Sequence, residues 1–183
     1  MNRETLSVEV FRDVDTPHVA IDPVVASIHG LKTVTDTIRV ENSRRKLRIA
    51  ATESPTYALE NVRAWPSLPA DLNIVVTERP FTSPRVLGQA RTATDRSRLG
   101  SRIAVVSAHK ENGRLATIAR HELHHLVSGS SHCDTPDCLM QQNMTDRTSE
   151  ACDACQSKFG MYAFHLLRAK QGYTVPQAIL FPR

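Results

Sequence analysis

The 183-residue sequence has few aromatics, at 5% of residues, so its core must be built mainly from Val, Leu, Ile and Ala. No apolar stretch reaches the roughly 18 residues needed to cross a bilayer. The opening MNRETLSVEVF has no apolar region after its charges, which excludes a secretory leader at this position. Internal repeats, low-complexity tracts and Gly/Ser linkers are also missing, as expected of one domain over 1–183. There is no Gly-rich phosphate loop and no G-x-S-x-G elbow, so neither nucleotide chemistry nor a serine hydrolase is indicated. These absences suit a soluble, cytoplasmic protein, and they leave membrane partners out. Nothing in the pattern sets the oligomeric state or a substrate preference.

Charge adds little. The net charge is +4 and the pI about 9.1, with basic residues at Arg44, Arg45 and Lys46 and again at Arg96, Arg98 and Arg102. No aromatics interleave with them and no nucleic-acid module signature appears. Both groups therefore read as solvated faces, and a zinc-binding nucleic-acid module is the weakest of the functions considered.

The first part of the chain, 1–113, reads as mainly sheet-forming. Strands are expected at Leu6–Phe11, Lys46–Ala51, Leu72–Thr77 and Arg102–Ser107, the last apolar enough to be central. Gly88–Thr94 is more polar and suits a sheet edge. A short helix is expected to run to His29, with Asp22 as its N-cap and Pro23 at its first position. After the turn signal Asn112-Gly113 the period changes. Leu115, Ile118, Ala119, Glu122 and Leu126 follow helical spacing in 114–128, and Gly129 supplies a stop. A second helix is expected over Glu150–Lys170, ended by Gly172 and Pro176. Strands first and helices later give an α/β domain of α+β character.

What is present in quantity is metal-ligand chemistry. Four of the eight histidines fall between positions 121 and 132, and all four cysteines between 133 and 155. His121-Glu122-Leu123-His124-His125 matches H-E-x-x-H. On a helix, residues four apart share a face, so His121 and His125 can address one ion. Glu122 lies about 100° round the helix. From there it can serve as base toward a water activated by zinc, in attack on a carbonyl. His124 sits on another azimuth and reads as an incidental residue of an exposed helix face. His132, beyond the stop at Gly129, is the natural third ligand, leaving one position open as catalytic zinc requires.

Cys133-x4-Cys138 and Cys152-Asp153-Ala154-Cys155 form two pairs, which suits a closed four-thiolate zinc site. A redox C-x-x-C is the rival, but the motif does not follow a strand in a βαβ pattern. In a reducing compartment, cysteines point to metal before disulfides. Such a site would pin the loop after His132 to the last helix. Tyr162 and Tyr173 could assist an oxyanion but read as packing residues.

HELHHLVSGSSHCDTPDCLM followed by CDAC resembles the archaemetzincins, a branch of the metzincin metallopeptidases. Their pattern is H-E-x-x-H-x-x-G-x-x-H-C, then x4-C-x-M, and later C-x-x-C. The resemblance is specific over 121–158. It implies a metzincin-type domain with a mixed, mostly parallel sheet of about five strands, an active-site helix and a C-terminal helix. It implies two zinc ions: a catalytic one on His121, His125 and His132, and a structural one on Cys133, Cys138, Cys152 and Cys155. Glu122 matches the catalytic glutamate and Met140 the Met-turn methionine. The implied activity is zinc-dependent hydrolysis of peptide bonds, by an endopeptidase or an aminopeptidase, with a peptide or protein substrate lying along the Gly88–Thr94 edge by β-addition.

Two departures stand out. The interval from His125 to His132 is one residue longer than the pattern, and an ungapped alignment would put Ser128 and Ser131 in place of the glycine and the third histidine. A one-residue loop insertion keeps His132 next to Cys133. The interval from Met140 to Cys152 is shortened. These departures support an alternative, a catalytically weak or inactive zinc-binding regulatory or interaction protein on the same scaffold.

Overall fold

In the computed structural model, the described residues are 5–13, 16–17, 20–31, 37–47, 68, 70–81, 86–91, 102–109, 113–129, 131–142 and 150–175. They form β1 (Leu6–Asp13), α1 (Asp22–His29), β2 (Ile38–Leu47), β3 (Leu72–Thr77), β4 (Gly88–Arg91), β5 (Arg102–Ser107), α2 (Leu115–Ser128) and α3 (Asp153–Lys170). The fold is α/β, with a five-stranded sheet ordered β2-β1-β3-β5-β4. The first four strands in that order run parallel, and only β4 is antiparallel, against β5.

β3 and β5 are buried along their whole length. That is why they read as unbroken apolar runs, since a strand covered on both faces has no polar side to alternate with. Leu72, Ile74 and Val76 join Val8, Val10, Ala104 and Val106 on the face that receives the three described helices. Val75, Ile103 and Val105 turn to the other face with Phe11, Leu68 and Phe81. β5 lies one place in from the edge, and β3 occupies the centre.

Several boundaries differ from the sequence expectations. The second strand is Ile38–Leu47, earlier than the expected Lys46–Ala51, whose residues 48–51 lie outside the described set. Ile21, not Asp22, caps α1, so Pro23 falls one residue inside its start. Proline is tolerated there because the first four N–H groups have no helical acceptor. The edge strand is described for Gly88–Arg91 only. α3 starts at Asp153 because Cys152 is extended at its N-cap and Glu150 bridges to Cys138.

Arg102 is a correction of substance. It is buried, not part of a solvated face, and its guanidinium donates to the Leu126 carbonyl near the C-terminal end of α2. A cation there meets the negative end of the helix dipole, although burial still pulls its pKa down to about 10. Arg102 thus ties β5 to the helix that carries the histidines. The side chains of Arg44, Arg45 and Lys46, and residues 96 and 98, lie outside the described set.

Candidate metal centre

α2 is buried at ten of its positions, His121, Glu122 and His124 among them. Helical spacing brings His121 Nε2 and His125 Nε2 to 2.9 Å from each other. His121 Nδ1 lies 2.7 Å from the Leu139 carbonyl oxygen. A carbonyl can only accept, so the proton sits on Nδ1 and the Nε2 lone pair faces His125. Burial holds His121 below its ordinary pKa, which favours the neutral, ligating form. The His132 ring stacks on that of His121 at 5.3 Å and meets that of His125 edge-on at 5.0 Å. One ring nitrogen from each of His121, His125 and His132 lies within 4.8 Å of the other two.

The one-residue departure before His132 resolves differently from the expected loop insertion. α2 continues through Ser128, whose hydroxyl donates to the His124 carbonyl at 2.7 Å. Gly129 then takes the left-handed conformation at φ 57° and donates its N–H to the His125 carbonyl at 2.8 Å. Glycine pays no Cβ penalty there. The spacing from Gly129 to His132 matches the G-x-x-H of the pattern, so the extra residue lies in the end of the helix. His132, not Ser131, joins the histidine set.

The four sulfurs of Cys133, Cys138, Cys152 and Cys155 also lie within 4.8 Å of one another, and all four cysteines are free. Backbone N–H groups point at them: Thr135 to Cys133 Sγ at 3.4 Å, and Met140 and Cys152 to Cys138 Sγ at 3.4 and 3.3 Å. Such donors favour thiolates over thiols. The Cys155 backbone N–H foremost, with neighbouring sulfurs, draws Cys152 down to about 7, while burial pushes Cys138 and Cys155 upward. Four sulfurs that cannot all ionise unaided suit a divalent cation that would neutralise them. The shortened interval after Met140 is closed by the Leu139 N–H, which donates to the Glu150 carbonyl at 2.9 Å.

Met140 is 1% exposed, and its carbonyl accepts the Cys133 N–H at 2.8 Å. His124 stays out of the histidine set, as expected, but it is not on an exposed face. It is buried, with its ring 4.4 Å from that of Phe159 on α3, and burial foremost lowers its pKa to about 3. Tyr162 packs in the core. Tyr173 does not: it is 52% exposed, with the Arg168 guanidinium 3.4 Å over its ring.

Gly88 is a site residue that the sequence concealed. A Cβ there would lie 2.7 Å from both Glu122 Cγ and Glu122 Oε1, and 2.8 Å from Ile118 Cγ2. Two positions on, the Ala90 N–H donates to the Glu122 carboxylate, while burial raises that carboxyl to about 8. The Ser107 N–H donates to the Leu87 carbonyl, so alternation in the antiparallel pair turns the N–H and C=O of Gly88 and Ala90 away from β5. Glu122 is therefore held by the outward side of β4, the edge strand among the described residues.

A mostly parallel sheet with an antiparallel edge strand beside an H-E-x-x-H helix, followed by a third histidine and a C-terminal helix, defines the α/β fold class of this chain. More narrowly, it is the archaemetzincin fold. The archaemetzincin of Methanopyrus kandleri superposes with a TM-score of 0.63 at 20% identity, over 86% of this chain and 95% of that one. The archaemetzincin of Archaeoglobus fulgidus, solved with malonate, gives 0.53 at 18% identity over 84% and 99%. A zinc-dependent peptidase from Methanocorpusculum labreanum gives 0.51 at 17% over 83% and 99%. At such identities the likeness establishes the fold. No family model matches the sequence, and no curated protein matches it either.

Proposed function

We propose that the chain is a zinc-dependent metallopeptidase of archaemetzincin type, acting as one domain over residues 1–183. The observation that carries the reading is the convergence of His121, His125 and His132 within 4.8 Å beside a buried carboxylate that is not among the ligands. His121, His125 and His132 would hold the catalytic zinc; Cys133, Cys138, Cys152 and Cys155 would hold the structural one. Among the histidines, zinc would supply Lewis acidity toward water and toward the substrate carbonyl.

The remaining roles fall to the protein. Glu122 takes a proton at its carboxylate during attack and returns it to the leaving amine. Burial raises the carboxyl's pKa to about 8, which suits holding the proton for the leaving amine, and a cation at the histidines would lower it for the first step. Apart from the Ala90 N–H, which Glu122 takes, the outward-facing backbone of β4 would offer hydrogen bonds to an extended peptide laid along the sheet edge. Met140 would be the turn methionine of the pattern; the Leu139 and Met140 carbonyls hold His121 and the residue after His132. The four free thiols suit a reducing, cytoplasmic setting, and no described helix is long and apolar enough to cross a membrane.

The test is Glu122→Gln. Cleavage of a peptide library should fall by about 10²–10⁴-fold, the usual contribution of a general base, with bound zinc unchanged. Loss of zinc in parallel with activity would remove Glu122 from this role. Zinc retention with no cleavage by the wild type would favour the binding-protein alternative.

A further inference from the structure

Two of the three histidines lean on a single three-residue segment, Cys138–Met140. His121 donates Nδ1–H to the Leu139 carbonyl at 2.7 Å. His132 is followed at once by Cys133, whose N–H donates to the Met140 carbonyl at 2.8 Å. The segment in turn is held by the cysteine set. Cys138 Sγ accepts N–H groups from Met140 and from Cys152, and Leu139 pairs with Glu150 two residues before Cys152. Cys138 also bridges to Glu150.

These bonds form a physical connection. Whatever draws the four sulfurs together fixes Cys138 and Cys133, and through them the Leu139 and Met140 carbonyls. Carbonyls that orient a ligating histidine are second in importance only to the ligands themselves, because they set the ring's tautomer and direction. Between the cysteine sulfurs and the His121 ring, the path runs through the backbone of Cys138–Met140.

We infer that the cysteine centre is the positioning device of the histidine centre: metal at the four sulfurs orders Cys138–Met140 and so raises the metal affinity of His121, His125 and His132. Leu139 and Met140 are positioning residues that act through their carbonyls. The inference rests on the reading that both sets hold metal, but adds that their occupancies are linked, which two independent sites would not require.

The test is a cobalt(II) titration of the reduced, metal-stripped full chain. Sulfur-to-cobalt charge-transfer bands report the cysteine set, and the weaker visible bands of nitrogen-ligated cobalt report the histidine set. In Cys138→Ser, affinity at the histidine set should fall about ten- to a hundredfold, as on removal of outer-shell support. The wild type supplies a check that needs no variant to fold. In a parallel zinc titration, the His121 Nδ1–H proton resonance, identified by its absence in His121→Ala, should sharpen with the first equivalent, before the histidines are filled. Unchanged histidine-set affinity in Cys138→Ser, or sharpening only with the second equivalent, would overturn the linkage. Charge-transfer bands with no nitrogen-ligated bands at any cobalt concentration would overturn the catalytic-zinc reading as well.

Discussion

Both ligand clusters have their donor atoms within 4.8 Å, yet the centres around them are supported in different ways. The cysteine set is local. Its members fall within residues 133–155, three of the four are only half-buried, and the backbone N–H groups that support the sulfurs come from the same stretch. The histidines, at 121–132, are just as local, but the centre they form with Glu122 is a product of the tertiary fold. α2 must be seated on the sheet, Arg102 must reach its end from β5, and Gly88 must let β4 close on Glu122. A thiolate cluster tolerates varied loops because short segments can bring sulfur to a common point. A catalytic arrangement must also place a carboxylate that does not bind the ion, and only the sheet edge does that.

That contrast is sharpest at Gly88. Replacing it with Ala forces a Cβ to within 2.7 Å of the Glu122 carboxylate. Because displacement of a reacting group by about 1 Å can cost about 10²-fold, kcat for peptide cleavage should fall by that order while zinc at both sets is retained. Steady-state kinetics beside metal analysis would check it; loss of zinc from the histidines would mean that β4 supports the ligands and not only the base.

A smaller effect separates helix seating from ligation. His124→Ala should lower stability by about 2–4 kcal/mol, as for other buried ring truncations, because it removes the contact with Phe159. Urea denaturation of the zinc-loaded protein measures this, and unchanged zinc content would keep His124 out of the metal chemistry. Ser131→Ala should do nothing to zinc affinity. A clear loss by isothermal titration would revive the ungapped alignment, in which that serine stands where the pattern has its third histidine.

The same contrast explains what could be read in advance. Leu72–Thr77 and Arg102–Ser107 were legible to the residue, because a strand covered on both faces leaves a bounded apolar run. That His121, His125 and His132, and separately the four cysteines, come together was legible because each residue type carries its chemistry with it. The β2 strand was hidden by Asn42-Ser43-Arg44-Arg45-Lys46, a polar run at the edge of the sheet that has no apolar periodicity to betray it. Arg102 looked solvated because it stands in a basic group with Arg96 and Arg98, and the sequence gives no hint of a helix carbonyl waiting for it. Gly88 could not be found, since its contribution is a missing Cβ and its partner lies far along the chain. The longer His125–His132 interval looked like a loop insertion, but Ser128 is helical and the left-handed Gly129 ends the helix.

The most direct test of two metal centres on one chain is zinc per chain by elemental analysis, on the wild type beside His132→Ala. Two ions in the wild type and one in the variant, with sulfur-ligated metal preserved, are expected. A single ion in the wild type, unaffected by His132→Ala, would contradict a catalytic zinc on His121, His125 and His132.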